Sequence, residues 1–551
     1  MLKRRKTYQF VVMVLLFLGS LNINAASPLP LADMPIPSQG HLRWHDYEQT
    51  MFIHFAPTTW QVGREYDNHS TDLKRMRLDK MNTDQWCEVA LSWGARQIMF
   101  VAKHTGGFCW WPTSTTDYSV KSIPWKDGNG DLLKEISRSC RKYGLDLGIY
   151  VYSGDDQWGA GIGSGGITKD PSKQAAYNEI YRTQLTEVLS NYGKITEIWF
   201  DGGCQIPVED IIFKYAPDAV VFGGHQPHPA IRWVGNEDGY APYPNWYVAP
   251  GSGIYAPFEV DVPFLKNNGH KWFWSAGVDH LMMTIDQFVE RYYASVGRGA
   301  VLLLNSTPDT TGLIPASHVA RYKEFGQELA RRFAIPLAVV TVPTILFDTA
   351  TVVNHVVIQE DLTGGQRVQG YRVMGLIEDG SWVELCSGTS VGHKRIDYFD
   401  DQKVKALRLE FTKSIACPSL KSFAAYEVEN MKHTANEAYR EPERSVGAWN
   451  FGTTFSQYTY DLTKFVSQIG IYEIEFRRIS GDGGVRVKNP QLTMYGGSQP
   501  SLVELVGKGN VVRITRSQQT LDEFPTILKL DIQQSNLNAV GQISIRRITF
   551  N

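Results

Sequence analysis

Cysteine is scarce in this chain, with six residues among 551: Cys87, Cys109, Cys140, Cys204, Cys386 and Cys417. None forms a CxxC pair, so a thiolate zinc site is not indicated. Cys386 and Cys417 fall in one β-rich stretch and could pair. An excess of charge is also missing, since 55 Lys and Arg against 57 Asp and Glu leave a net −2. Binding a polyanion requires neutralising many phosphates, so nucleic acid is not an expected partner. Beyond the N-terminus no apolar run approaches the roughly 20 residues of a membrane-spanning helix. Internal repeats and low-complexity segments are lacking. His54 and His104 do not fall in the HxxxH or HExxH spacing that would mark a metal site.

The N-terminus does carry a signal. Lys3, Arg4, Arg5 and Lys6 precede an apolar stretch from Phe10 to Leu18, and Ala25 and Ala26 offer small residues for cleavage. This is the pattern of a signal peptide over 1–26. No cysteine follows to take a lipid. The expected location is outside the cytoplasm, periplasmic or extracellular.

Hydrophobic residues at 43% and charged residues at 20% describe a globular chain. At roughly 100–200 residues per domain, about three domains are expected. Fifteen Trp and 26 Tyr stand out. Their flat rings suit the apolar faces of sugars, although most such rings in any protein are core.

From 45 to 335 short apolar strands alternate with amphipathic helical stretches. Strands are predicted at 51–55, 96–104, 145–152, 196–203, 219–224, 231–235, 271–275 and 300–305. Helices are predicted at 82–94, 131–144 and 175–193, each stopping at a glycine. Eight strands in an α/β alternation predict a (β/α)8-like barrel over 27–338. An open doubly wound sheet is the alternative, weakened because no phosphate-binding glycine fingerprint follows the first strand. Beyond 340 the pattern shifts to short strands with Gly, Asp and Asn turns. This predicts a β-sandwich over 339–430, then a polar linker and a second β-sandwich over 431–551.

A barrel of this kind keeps its chemistry at the C-terminal ends of its strands. Those ends bring His54, Lys103, His104, Tyr150, Tyr152, Asp201, Glu237 and Trp272 toward one mouth. The set offers carboxylates, imidazoles and indoles, with no Ser or Cys nucleophile elbow. Two carboxylates across a sugar are the basis of glycoside hydrolysis. Asp201 ends the apolar run "TEIWF" and precedes two glycines, which let the loop turn away and leave the carboxylate open to substrate. An Asp that caps a helix or closes a turn would look similar. Glu237, in "RWVGNEDG", has Trp233 and Trp246 close in sequence. Burial against rings would raise its pKa as a general acid requires, while a plain surface-loop Glu is the competing reading. His54 and His104 could bind sugar hydroxyls or, with Asp201, a metal.

At these residues the chain resembles glycoside hydrolase family 29, the α-L-fucosidases. The segments "MFIHFAPTTW", "GARQIMFVAKHTGGFCWWPTSTTDYSV", "LDLGIYV", "TEIWFDGG", "DAVVFGG", "IRWVGNEDG" and "SVGRGAVLLLNSTPDTTGLIP" carry the resemblance, in order, across about 45–315. It implies a (β/α)8-like catalytic domain with a β-sandwich behind it, retaining chemistry, and no metal or cofactor. It implies Asp201 as nucleophile and, in the branch with "GNE" after "RWV", Glu237 as acid/base. Fucose contacts are implied for His54, Trp60, His104, Tyr150 and Trp272. "RWVGNE" and "PFEVDVPF" resemble the branch specific for α-1,3/1,4-linked fucose on branched glycans. Glu259 resembles an acidic position of that branch, implying subsite recognition, and is the second choice for acid/base. The family's "KHHDGF" departs here to His104, Thr105 and Gly106, which leaves room for a related sugar of L-galacto configuration. The stretch after 340 resembles a galactose-binding-like sandwich.

The implied activity is double displacement on a terminal α-L-fucose of a fucosylated glycan, by hydrolysis or with some transglycosylation. A non-catalytic sugar-binding protein and a metal-dependent hydrolase using His54, His104 and Asp201 are the competing classes. The sequence leaves the oligomeric state open.

Overall fold

The computed structural model describes residues 34–429 apart from 225–227, 249–252 and 268, and shorter stretches between 439 and 549. The expected signal peptide and most of the expected linker lie outside the described residues.

Eight parallel strands build the first unit. They are β1 (Gln49–Ile53), β2 (Gln97–Lys103), β3 (Asp146–Val151), β4 (Glu197–Trp199), β5 (Val220–Phe222), β6 (Arg232–Trp233), β7 (Phe258–Val262) and β8 (Val301–Ser306). Their order is β5-β4-β3-β2-β1-β8-β7-β6. The ring closes through a parallel bridge between Val221 and Ala230, just ahead of β6. The predicted barrel is therefore present. Its outer helices are α1 (Gln39–His45), α2 (Thr83–Ser92), α3 (Leu132–Tyr143), α4 (Gln174–Asn191), α5 (Glu209–Tyr215), α6 (Ile285–Ala294) and α7 (Ala316–Phe333). Local chemistry sets their ends. The Asn82 side chain caps the first N–H groups of α2, and the Asp131 side chain those of α3. Gly144 closes α3 in the left-handed conformation at φ +69°. Among the described residues no helix joins β5 to β6 or β6 to β7, so that side of the mouth is built from loops.

The seventh strand differs from the prediction. The aromatic run at 271–275 is not a strand, and β7 is the acidic-looking "FEVDV". A parallel strand ordinarily reads as a continuous apolar run. Here Glu259 and Asp261 both point inward at 1% and 3% exposure. In the lumen the Trp199 indole donates to Glu259 at 2.7 Å, and the Trp44 indole donates to Glu197 of β4 at 3.1 Å. The Glu197 and Glu259 carboxyls also hydrogen-bond each other. Burial pushes Glu197 up to about 7 and Glu259 well above the ordinary carboxyl range. One retained proton between them suits the bond that both make.

The second unit is a six-stranded antiparallel sheet. It comprises β9 (Ala338–Val340), β10 (Thr344–Glu360), β11 (Val368–Leu376), β12 (Trp382–Gly388), β13 (Arg395–Ser414) and β14 (Leu420–Tyr426). Register shifts interrupt the pairing of the long strands β10 and β13. Val353, Val356, Tyr371, Val373, Leu407 and Phe423 lie in its core. Against the barrel, Lys394 pairs with Glu48 at 2.5 Å. All six cysteines are free, with Cys386 buried and Cys417 exposed, so the suggested Cys386–Cys417 pair is not formed. The third unit packs two antiparallel sheets, one around the strands 470–480 and 540–549 and one around 485–494 and 527–534. Phe476, Ile545, Leu492 and Leu530 meet between them. Among the described residues no helix is long and apolar enough to cross a membrane.

Candidate active site

A cavity of about 340 Å³ lies at the C-terminal mouth of the barrel. Asp201 enters it from the turn after β4, and Glu237 from the loop after β6. His54 and His104 follow β1 and β2 directly, Tyr150 stands on β3, and Trp272 reaches in from the loop after β7. The structure thus gathers six of the sequence-predicted residues around one space.

Trp60 and Glu259 are not in that lining. Trp60 packs on Phe55, ring centroids 5.5 Å apart, against the core outside the strands. Glu259 is enclosed in the lumen below. The alternation of a strand puts Glu259 and Asp261 on the same face, and Asp261, two residues nearer the C-terminal end, is the one that reaches the cavity. Lys103 falls on the opposite face of β2. It is buried against α4, with Nζ 3.1 Å from the Gln184 side-chain oxygen.

Asp201 depends on the turn behind it. Gly202 and Gly203 hold φ +68° and +81°, a conformation that side chains resist, and so the chain leaves β4 sharply. The Tyr150 hydroxyl donates to the Asp201 carboxylate at 3.0 Å. Burial raises the pKa of Asp201, the Tyr150 bond works against that, and the charge of Glu237 adds to it; the net is upward. The two carboxylates are therefore close enough to feel each other.

Glu237 has different partners. Its Oε2 accepts from the Trp272 indole at 3.1 Å and lies 2.5 Å from His270 Nε2. Burial pushes its pKa up, but the bonds from His270 and Trp272 and the charge of Lys266 outweigh that and hold it below the ordinary value.

His54 and His104 act as neutral donors and acceptors. His54 Nδ1 lies 2.7 Å from the Asn305 side-chain oxygen, and the Asn305 amide donates to the Trp272 carbonyl at 3.0 Å. That pairing makes Nδ1 the donor and leaves Nε2 as an acceptor. Burial and the neighbouring His104 drive the pKa of His54 well down, and burial lowers His104 to about 4. His104 is stacked between Tyr66 and Tyr150, with centroids 6.3 and 5.7 Å away. Thr105, at the point of departure from the family motif, is buried and sets its hydroxyl 3.2 Å from His104 Nδ1, fixing the ring. Among the described residues no three His, Cys, Asp or Glu side chains converge as a metal-binding group.

Sequence reasoning missed Glu65, Tyr66, Asp261 and His270, all of which line the cavity. Glu65 accepts from the Trp272 backbone N–H at 2.9 Å, and Asp261 accepts from the Trp233 indole at 2.7 Å. Three of them sit on loops with no periodic pattern, and Asp261 was hidden in the unrecognised strand.

Comparison with known proteins settles what this barrel belongs to. Residues 34–332, more than half the chain, match the alpha-L-fucosidase family. The chain belongs to that family. Alpha-L-fucosidase 1 of Arabidopsis thaliana is 27% identical over 468 residues, covering 72% of this fucosidase and 89% of the plant protein. Among solved structures, a presumed alpha-L-fucosidase of Bacteroides thetaiotaomicron is 32% identical with a TM-score of 0.68, covering 72% of this chain and all of its own. A glycoside hydrolase 29 family member from an unknown rumen bacterium, 23% identical with a TM-score of 0.65, shares the fold over 94% of this chain and all of its own. This fucosidase is thus a glycoside hydrolase of family 29.

Proposed function

We propose that this fucosidase is a retaining exo-enzyme that removes terminal α-L-fucose, with Asp201 as nucleophile and Glu237 as acid/base. The observation that carries the reading is two carboxylates with unlike partners facing one cavity of about 340 Å³, a size near the lower end of small-molecule sites. Asp201, held by Tyr150, attacks the anomeric carbon. Glu237 protonates the leaving oxygen, then deprotonates the water that releases fucose. A bound sugar strips water from Glu237 and moves its pKa upward, toward the proton-holding form the first step needs. His54, His104 and Tyr150 hold the ring, with Trp272 against its apolar edge. The "RWVGNE" and "PFEVDVPF" segments support α-1,3/1,4-linked fucose on branched glycans as substrate. The 1–26 segment supports export to the periplasm or beyond.

A linkage panel of fucosylated oligosaccharides tests the substrate assignment. Preferred release from α-1,3 and α-1,4 linkages is expected, and equal cleavage of α-1,2 linkages would refute the branch. On an aryl α-L-fucoside, Asp201→Ala should lose at least roughly 10³-fold in kcat. A near-wild-type rate would remove Asp201 from the mechanism.

A further inference from the structure

Glu237 has no regular element to hold it. It lies four residues past a two-residue strand, just after Gly235 at φ +84°, on a loop without a helix. Its carboxyl must be aimed by contacts from elsewhere. His270 and Trp272 bond the carboxyl itself, and the next residue, Asp238, ties down the loop that carries it. One Asp238 oxygen is 3.2 Å from Lys266 Nζ, on the loop after β7 that also bears His270 and Trp272. The other is 3.3 Å from Arg547 Nη2, on the last strand of the third unit. There Arg547 pairs across the sheet with Tyr472. The Arg547 side chain is 5% exposed and that of Asp238 18%, so solvent screens this contact little. Both cations hold the Asp238 pKa down against the upward push of burial.

We propose that Arg547 is a positioning residue. Through Asp238, the C-terminal β-sandwich clamps the loop that presents Glu237 and so sets the aim of the proton donor. The proposal rests on the acid/base reading of Glu237. Asp238 joins three segments that are remote in sequence: its own loop, the loop of Lys266, and the strand of Arg547. Loss of Arg547 frees one corner of this clamp and lets the loop pivot at Gly235. Proton donation matters most when the leaving group is poor, so misaim of Glu237 should show there first.

The test is a series of aryl α-L-fucosides, from nitrophenyl to unsubstituted phenyl, assayed with the full-length enzyme. Arg547→Met should lower kcat/KM on the phenyl substrate about tenfold more than on the nitrophenyl one, within the 10²-fold that a 1 Å misplacement can cost. Arg547→Lys should recover most of the loss. Asp238→Asn should show the same leaving-group dependence, and the double variant should add little to either single one. An equal loss on every aryl fucoside, with or without a lower Tm, would overturn the positioning role, as would no loss at all. Glu237→Gln serves as the reference. If it shows the steep leaving-group dependence and Arg547→Met does not, the clamp alone fails. If Glu237→Gln lacks that dependence, the acid/base assignment fails, and the clamp with it.

Discussion

Asp201 sits where burial favours the neutral acid while the Tyr150 hydroxyl, 3.0 Å away, favours the carboxylate. In its proposed role as nucleophile Asp201 must be ionised, so kcat/KM should fall as pH drops through its pKa. Tyr150→Phe removes a hydrogen bond to a charged group, a loss of about 1.5–3 kcal/mol or roughly 10–10²-fold. It also raises the Asp201 pKa, so the acid limb of the kcat/KM profile should move to higher pH. An unmoved limb would show that Tyr150 does not support the carboxylate. Glu237→Gln should cost about 10²–10⁴-fold on poor leaving groups, the usual range for a lost general acid. Most of these residues were legible in the sequence, because Asp201, His54 and His104 each end an apolar run. His270 was not, since a half-exposed loop histidine between Gly269 and Lys271 carries no pattern.

Strand β7 shows where such patterns stop working. Its inward Glu259 and Asp261 break the continuous apolar run expected of a parallel strand, while the aromatic run at 271–275 reads as the better strand. The reading fails because the lumen contains indole donors and a second carboxyl, which make buried acids tolerable. This arrangement has a pH signature. A carboxyl whose folded pKa is raised binds its proton more tightly than the unfolded chain does. For Glu197, the stability this contributes is present in full below its ordinary value of 4.5 and is lost as pH rises to about 7. Thermal unfolding followed from about pH 4.5 to about pH 8 should show Tm falling over that window. The Glu197→Gln/Glu259→Gln variant should flatten the fall. If it leaves the slope unchanged, the lumen pair does not hold the proton.

At the scale of the whole molecule, the alternation of strands and helices announced the barrel, and the change at 340 announced the β units. What the sequence did not show is how these units meet, because single charged residues such as Glu48, Lys394 and Arg547 find partners hundreds of positions away. Glu48 is held at about 2, as burial pushes it up and Lys394 and His393 more than offset that. Its pairing contributes stability above the ordinary value of 4.5 and loses it as pH falls toward 2. Glu48→Gln leaves Lys394 buried without its partner and should cost about 3 kcal/mol at neutral pH, read by chemical denaturation. A change within about 0.5 kcal/mol would mark the pair as incidental.

The account depends most on Asp201 forming a covalent bond to the sugar. Incubation with a 2-deoxy-2-fluoro α-fucosyl donor, which slows release of the intermediate, followed by peptide mapping, tests this directly. A fluorofucosyl mass on the peptide bearing Asp201 is the predicted result. The same mass on Glu237, Asp261 or Glu65, or a fully turned-over donor with no adduct and an inverted first product, would contradict it.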